Sequence, residues 1–335
     1  MRYSVGLPTC MEGLTYPVPF ATHDEIIEIA KACERFGYDS VWGNDHMTTQ
    51  RYVRQEFGDP PNYWEILISY AFICAATTKL RVGTSMLVLP MRRDIVVLAK
   101  QLATLDQLSG GRLEIGLGIG AYREEFEALH PNWKVHRGEM IVEGMTALRA
   151  LFEQRTATFE GKFYEFRDVE MYPKPLQSPL PLYVGGNSPA GMERVAKHAD
   201  GWIPACLAPD DFGQRMERVR EMTVAAGRDP STLEIAPQLA CYVAKTREEA
   251  ASQFERSQMF KHLESLNQST LKDQGERSHI ETNIIGSVDD CIAQTQAYKD
   301  AGATHILGLY FAVNSVEELI DQAQIYAEEV IPHIS

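Results

Sequence analysis

The chain has 335 residues, 44% of them hydrophobic and 23% charged, enough apolar material to bury a large α/β core in one big domain or two ordinary ones. A formal net charge of −14 repels a polyphosphate backbone or an anionic membrane at long range, which argues against nucleic-acid and membrane partners. No window approaches the roughly 18 uncharged apolar residues of a membrane span, and Met1-Arg2-Tyr3-Ser4-Val5 runs straight into strand-like sequence, so a cytoplasmic protein is expected.

From the N-terminus, β-rich runs at residues 3–8, 40–43, 80–89, 113–118, 182–185, 201–204, 233–243 and 305–310 alternate with helical stretches, the pattern of repeated βα units on a parallel sheet. Between the first two, residues 24–36 set Ile26, Ile27, Ile29, Ala30, Ala32 and Cys33 at helical spacing, with Gly37 placed to end the helix. So many units suit a single closed (β/α)8 TIM barrel over residues 1–335 better than a doubly wound sheet. Two connections are long enough to be insertions. Residues 122–180 hold a helix at 137–154 and then an alternating hairpin pattern around Glu160-Gly161-Lys162. Residues 248–282 are charged and read either as a lid over the catalytic end or as a helical excursion packed outside.

The chemistry of such a barrel sits where strands end. Asp45 and His46 follow the apolar run Ser40-Val41-Trp42-Gly43; a histidine there can exchange a proton, and a neighbouring carboxylate can fix its tautomer, although structural histidines are common. Gly116, Gly118 and Gly120 alternate at the end of another strand, where a missing Cβ lets a flat ring or phosphate approach; Ile119 lies between the last two. The spacing is not that of a dinucleotide fingerprint, which needs G-x-G-x-x-G entering a helix. Gly185-Gly186-Asn187-Ser188-Pro189-Ala190-Gly191 joins a strand to a helix that Ser188 would cap, which is either a phosphate cradle or a plain capped helix. Arg51, Arg54, Arg92 and Arg93 could offset the acidic field for an anionic ligand or simply form a solvated face. The six cysteines (Cys10, Cys33, Cys74, Cys206, Cys241, Cys291) have no C-x-x-C spacing, so no metal site or disulfide framework is expected.

Four segments in order carry a resemblance over nearly the whole chain: Phe36-Gly37-Tyr38-Asp39-Ser40-Val41-Trp42 leading to Asp45-His46, the run Val82 to Pro90, Leu105 to Arg112 with its glycine-rich strand, and Pro181 to Ser188 followed by Ala199-Asp200-Gly201-Trp202. Together they resemble the bacterial luciferase-like superfamily of flavin monooxygenases and coenzyme F420-dependent oxidoreductases. The resemblance implies a luciferase-like barrel with His46, beside Asp45, next to the reactive ring. It implies that Asn187, Ser188 and Gly191 hold the cofactor phosphate within the Gly185-Gly186 loop, that Gly118, Ile119 and Gly120 line the ribityl chain, and that a non-proline cis peptide at Ser85–Met86 props the ring. It also implies a homodimer, a small-molecule substrate and a separate flavin or F420 reductase. Asp45-His46 followed by Met47, together with Gly-Gly-Asn-Ser, looks more like the F420 branch than the FMN branch, in which FMNH2 reacts with oxygen. Coenzyme F420 is therefore the favoured cofactor, with FMN the alternative and a non-catalytic flavin-binding protein the third reading. Cys10, Trp42, Trp64, Cys206 and Tyr310 are candidates for lining an apolar substrate chamber.

Overall fold

The computed structural model describes residues 1–131, 136–267, 270–271 and 277–335. The first half runs β1 (Arg2–Leu7), α1 (His23–Phe36), β2 (Ser40–Gly43), α2 (Arg51–Glu56), α3 (Ile66–Ala76), β3 (Arg81–Val88), α4 (Ile95–Ser109), β4 (Leu113–Gly118), α5 (Arg123–Leu129) and α6 (Arg137–Glu153). A two-stranded antiparallel hairpin follows, β5 (Ala157–Glu160) with β6 (Glu165–Val169). Then come β7 (Leu182–Gly185), α7 (Pro189–His198), β8 (Gly201–Ile203), α8 (Pro209–Ala225), β9 (Glu234–Ile235) and β10 (Gln238–Ala244). The chain finishes with α9 (Arg247–Arg256), α10 (Gln258–Leu266), β11 (Ile284–Ser287), α11 (Val288–Asp300), β12 (His305–Phe311) and α12 (Val316–Ile325). No helix among the described residues is long and apolar enough to cross a membrane.

Local chemistry sets the element ends. In α1, Thr22 and Glu25 form a reciprocal capping box, Ile26, Ile29, Ala30 and Cys33 are buried, and Gly37 stops the helix at φ 86°. The main sheet curls in the order β11-β10-β12-β1-β2-β3-β4-β7-β8-β9, every pair parallel. Residues 234–244 shut it. Their first part, β9, pairs with β8, and their second, β10, pairs with β12, so one stretch borders both flanks of the sheet. The sequence reads as one strand there, but Pro237 has no N–H to donate and the ladder breaks into two. β11 was not anticipated: it is a four-residue strand laid on the outer side of β10.

The hairpin and the helix at 137–153 form as the pattern predicts, while residues 132–135 of the first insertion lie outside the described residues. The second insertion divides its tasks. α9 packs outside on β10 and β11, whereas α10 reaches over the strand ends; residues 268–269 and 272–276 lie outside the described residues.

At the opposite end of the barrel, the first residues of the strands meet in a charged layer. Arg2 donates to Glu114 at 2.9 Å and to Glu234 at 3.0 Å, and Arg81 donates to Glu114 at 2.9 Å. The Tyr183 hydroxyl donates to Glu234 at 2.6 Å, and His305 Nδ1 lies 3.2 Å from the same carboxylate. Burial alone would raise the Glu234 pKa, but its hydrogen bonds and electrostatic contacts with His305 and Arg2 outweigh it and hold the group at about 2 instead of 4.5. A depressed carboxyl stabilises the fold above its unfolded pKa and ceases to do so as pH falls towards its folded one. Thermal melts should therefore show Glu234→Gln less stable than wild type near neutrality, with the difference shrinking as pH drops from about 4.5 towards 2. A difference that stays constant across that range would show that the carboxylate charge contributes nothing.

Candidate active site

At the carboxyl ends of the strands lies a cavity of about 500 Å³, and Asp45, His46, Ser85, Met86, Gly118, Ile119, Gly120, Gly185, Gly186, Asn187, Ser188 and Gly191 all line it. Residues read separately from Asp45 to Gly191 thus converge on one chamber.

The Ser85–Met86 peptide is cis, and the β3–β4 register slips between Thr84 and Leu87. The glycines facing this bulge have a steric cause. A Cβ on Gly116 would collide with the Thr84 carbonyl, one on Gly185 with the Met86 methyl, and one on Gly118 would lie 2.8 Å from Met86 Cβ. Alternate glycines are expected to admit a ring or phosphate; at 116 and 118, and at Gly185 on the neighbouring strand, the missing Cβ first admits the bulge. Gly186 is different: at φ +125° a Cβ would meet nothing within 4 Å, so this backbone faces open space.

His46 Nδ1 lies 3.0 Å from Glu125 Oε2 and 3.2 Å from Gln50 Nε2, and the Met47 N–H donates to the other Glu125 oxygen at 3.1 Å. Glu125 has no exposed surface. The carboxylate that orients His46 is therefore Glu125, and the expectation that Asp45 would do so is corrected. Asp45 accepts from Arg92 at 2.7 Å and from the Val88 N–H at 3.2 Å. Burial pushes the Asp45 pKa up, with Arg92 and Val88 opposing. Asp45 thus ties the end of β2 to the segment after the bulge. Nothing in the sequence separates Glu125 from Glu124 and Glu127, its neighbours in the same acidic helix.

Ser188 caps α7, its Oγ accepting the Gly191 N–H at 3.2 Å. The Asn187 amide is committed elsewhere: it donates to the Ala205 carbonyl at 2.8 Å and accepts from the Ala205 N–H at 3.0 Å, clamping the loops after β7 and β8 together. The Asn187 side chain is thereby engaged in that clamp. The cations are also not those first considered. Arg51 pairs with Glu124 and Glu127, Arg54 donates to the Thr49 carbonyl, Arg92 holds Asp45, and none of these three nor Arg93 lines the cavity. Arg137 and Arg194 do. Arg137 donates to the Gly120 carbonyl at 2.6 Å and lies over the Phe126 ring, while Arg194 rides on α7 beside the loop that Ser188 ends. Burial pushes the pKa of both guanidinium groups down from its ordinary value. Two cations, a ten-residue helix beginning at the cavity and an open Gly186 backbone suit a phosphate-bearing ring cofactor against the global negative charge. Among the described residues no group of three or more His, Cys, Asp or Glu is arranged to hold a metal ion.

Of the chamber candidates, Cys206 and Tyr310 line the cavity; Cys10, Trp42 and Trp64 do not. Cys10 donates to the Trp64 carbonyl, and Trp42 packs edge-on to Tyr183 within the barrel. The roof comes from α10, whose Met259, His262, Leu263 and Leu266 recur at i, i+3, i+4 and i+7 and all face the cavity. That spacing was present in the charged 248–282 stretch but masked by its polar neighbours.

The family model for luciferase-like monooxygenases matches residues 1–305. The chain belongs to that family. Its relatives include the F420-dependent glucose-6-phosphate dehydrogenase of Amycolatopsis mediterranei (strain U-32), 25% identical over 329 residues that cover 92% of this chain and 94% of that one. The FMNH2-dependent dimethylsulfone monooxygenase of Pseudomonas putida is 30% identical over 203 residues, covering 60% and 53% of the two chains. An F420-dependent secondary alcohol dehydrogenase, solved with an F420–acetone adduct, superposes with a TM-score of 0.79 at 22% identity, covering 100% of this chain and 99% of that one. This luciferase-like family thus has both F420-dependent and FMNH2-dependent oxidoreductases among its members.

Two substitutions separate the roles of the carboxylates. Glu125→Ala should abolish the hydrogen-bonded His46 Nδ1 proton signal in NMR spectra, whereas Asp45→Asn should retain it and lower thermal stability by about 1–3 kcal/mol. Loss of the signal in Asp45→Asn alone would return the orienting role to Asp45.

Proposed function

We propose that this protein transfers hydride to or from a small organic substrate with coenzyme F420, His46 handling the accompanying proton. The observation that carries this reading is the His46–Glu125 pair at a cavity wall. F420, when bound, supplies a two-electron hydride donor or acceptor at its ring. The protein supplies the proton path: with Nδ1 held by a buried carboxylate, Nε2 is the nitrogen left to take a proton from a substrate hydroxyl during oxidation or to return it during reduction. Glu125 stabilises the imidazolium formed in that exchange, as an acidic partner does wherever histidine serves as base. The Ser85–Met86 bulge would back the ring, Gly118 to Gly120 would follow its side chain, and Ser188, Gly191, Arg137 and Arg194 would hold the phosphate.

Asp45-His46 followed by Met47, the Gly-Gly-Asn-Ser loop and the full-length likeness to an F420-dependent dehydrogenase support F420 over FMN. The likeness to the dimethylsulfone monooxygenase favours a second reading, an FMNH2-dependent monooxygenase supplied by a separate reductase. Parallel titrations decide between them. F420 should bind in the micromolar range or tighter and FMN at least about tenfold more weakly, a gap of about 1.4 kcal/mol; equal or reversed affinities would favour the monooxygenase.

Substitutions then divide binding from chemistry. His46→Ala should lower the catalytic rate by about 10²–10⁴-fold with little change in cofactor affinity. Ser188→Ala should do the opposite, weakening the cofactor by about 1–2 kcal/mol through the lost hydroxyl and helix cap while leaving turnover at saturation nearly intact. Near-normal turnover in the first variant, or unchanged affinity in the second, would remove that residue from its role.

A further inference from the structure

The cavity carries its charge unevenly. Arg137 and Arg194 belong to the wall formed by Gly120 and α7, whereas among the described residues the α10 roof and the loop beneath it present Met11, Thr15, Met259, His262 and Leu263 and no carboxylate, ammonium or guanidinium. The roof is fastened to that loop, since the Gln258 amide donates to the Gly13 carbonyl at 3.1 Å. His262 is held from behind, its Nδ1 lying 3.2 Å from the Tyr52 hydroxyl, which lies 3.5 Å from the Tyr122 hydroxyl. The Tyr122 ring in turn lies 5.8 Å from the His46 ring, so a continuous line of rings joins the two histidines.

With Nδ1 occupied, His262 Nε2 has no partner among the described residues, and His262 lines the cavity. Burial, reinforced by the neighbouring His46, pushes the His262 pKa down to about 3, so the ring is neutral under ordinary conditions. A second polar group points the same way: Thr15 lines the cavity, is 3% exposed, and its Oγ1 has no hydrogen-bond partner. Buried polar atoms left without partners are uncommon, and Thr15 Oγ1, beside the unengaged Nε2 of the half-buried His262, marks where a ligand atom completes the bonding. The ligand that completes it brings hydrogen-bonding oxygen but no charge, since a carboxylate or ammonium pressed against neutral groups and methionine side chains would lose its hydration without gaining a counter-charge.

We propose that the substrate is an uncharged, largely apolar alcohol or carbonyl compound, and that His262 orients it by a hydrogen bond from Nε2 to its oxygen. This deepens the oxidoreductase reading and rests on it for the word substrate, but the binding claim stands on the roof alone. Neutral His262 offers a single hydrogen-bonding nitrogen. With the Tyr52 hydroxyl donating to Nδ1, Nε2 carries the proton and gives it to a carbonyl or hydroxyl oxygen. Met259, Leu263 and Leu266 then cover the aliphatic part, and His46, beyond Tyr122, meets the reacting end.

The test uses four probes of equal chain length, 2-hexanol, 2-hexanone, hexanoate and hexylammonium, titrated into the full-length protein first without cofactor and then with F420. The alcohol and ketone should bind at least about tenfold more tightly than either charged probe. His262→Phe keeps the ring but not the hydrogen bond and should weaken the neutral probes about fivefold; His262→Gln should recover most of that loss. Unchanged melting curves establish that the variants are folded. Should a charged probe bind as tightly as the neutral ones, should no neutral probe bind, or should His262→Phe retain wild-type affinity, the proposal is overturned. Because the first series contains no cofactor, its failure leaves the F420 reading intact, while failure of F420 to bind beside a preserved probe ranking would sink that reading alone.

Discussion

Glu114 and Glu234 stand inside the barrel, where a carboxylate cannot remain unpaired, and the groups that neutralise them come from other strands. Arg2 bridges both, Arg81 takes the free side of Glu114, and Tyr183 and His305 approach Glu234. Strands β1, β3, β4, β7, β9 and β12 are thereby fixed relative to one another at the end away from the cavity. The consequence at the other end is indirect but physical. Fewer polar groups are then needed to hold the cavity end together, so Ser188, Thr15, His46 and His262 can face a chamber.

The division between Asp45 and Glu125 follows the same logic. Two buried acids flank one histidine, and each has a different debt to settle. Asp45 meets the Arg92 guanidinium from the segment after β3 and the N–H of Val88 at the end of β3, which makes it part of the scaffold. Glu125 meets the imidazole and the N–H of Met47, which fixes both the ring and the turn that carries it. An acidic residue next to a histidine in sequence is thus a poor guide to which acid touches it, because distant partners claim each carboxylate.

Much of the frame was legible because burial leaves a strong pattern. The runs at 40–43, 113–118 and 182–185 coincide with the observed strands, since apolar β-rich residues bounded by turn residues have few other solutions. What escaped was whatever depends on distant partners. β11 is too short to have a period, and the split at Pro237 matters only because β8 and β12 flank the two sides of one segment. The site was legible in its glycine and histidine signals because those residue types are chemically unusual. Arg137, Arg194, Glu125 and His262 were not, being ordinary members of charged helices until the fold turns the first two and His262 towards the cavity and sets Glu125 behind His46.

The closure through residues 234–244 has a bearing on how the molecule is made. β1 is synthesised long before β12, which covers one of its edges, and β8 has no outer neighbour until β9 has been synthesised. Until those strands arrive the nascent sheet therefore carries two bare parallel edges, each a template for pairing with another chain. Contacts this distant in sequence also form slowly, since the loop must close before the pairing contributes. Expression at low temperature or alongside chaperones that shield strand edges would thus act on the yield of this chain more than on the stability of the finished barrel.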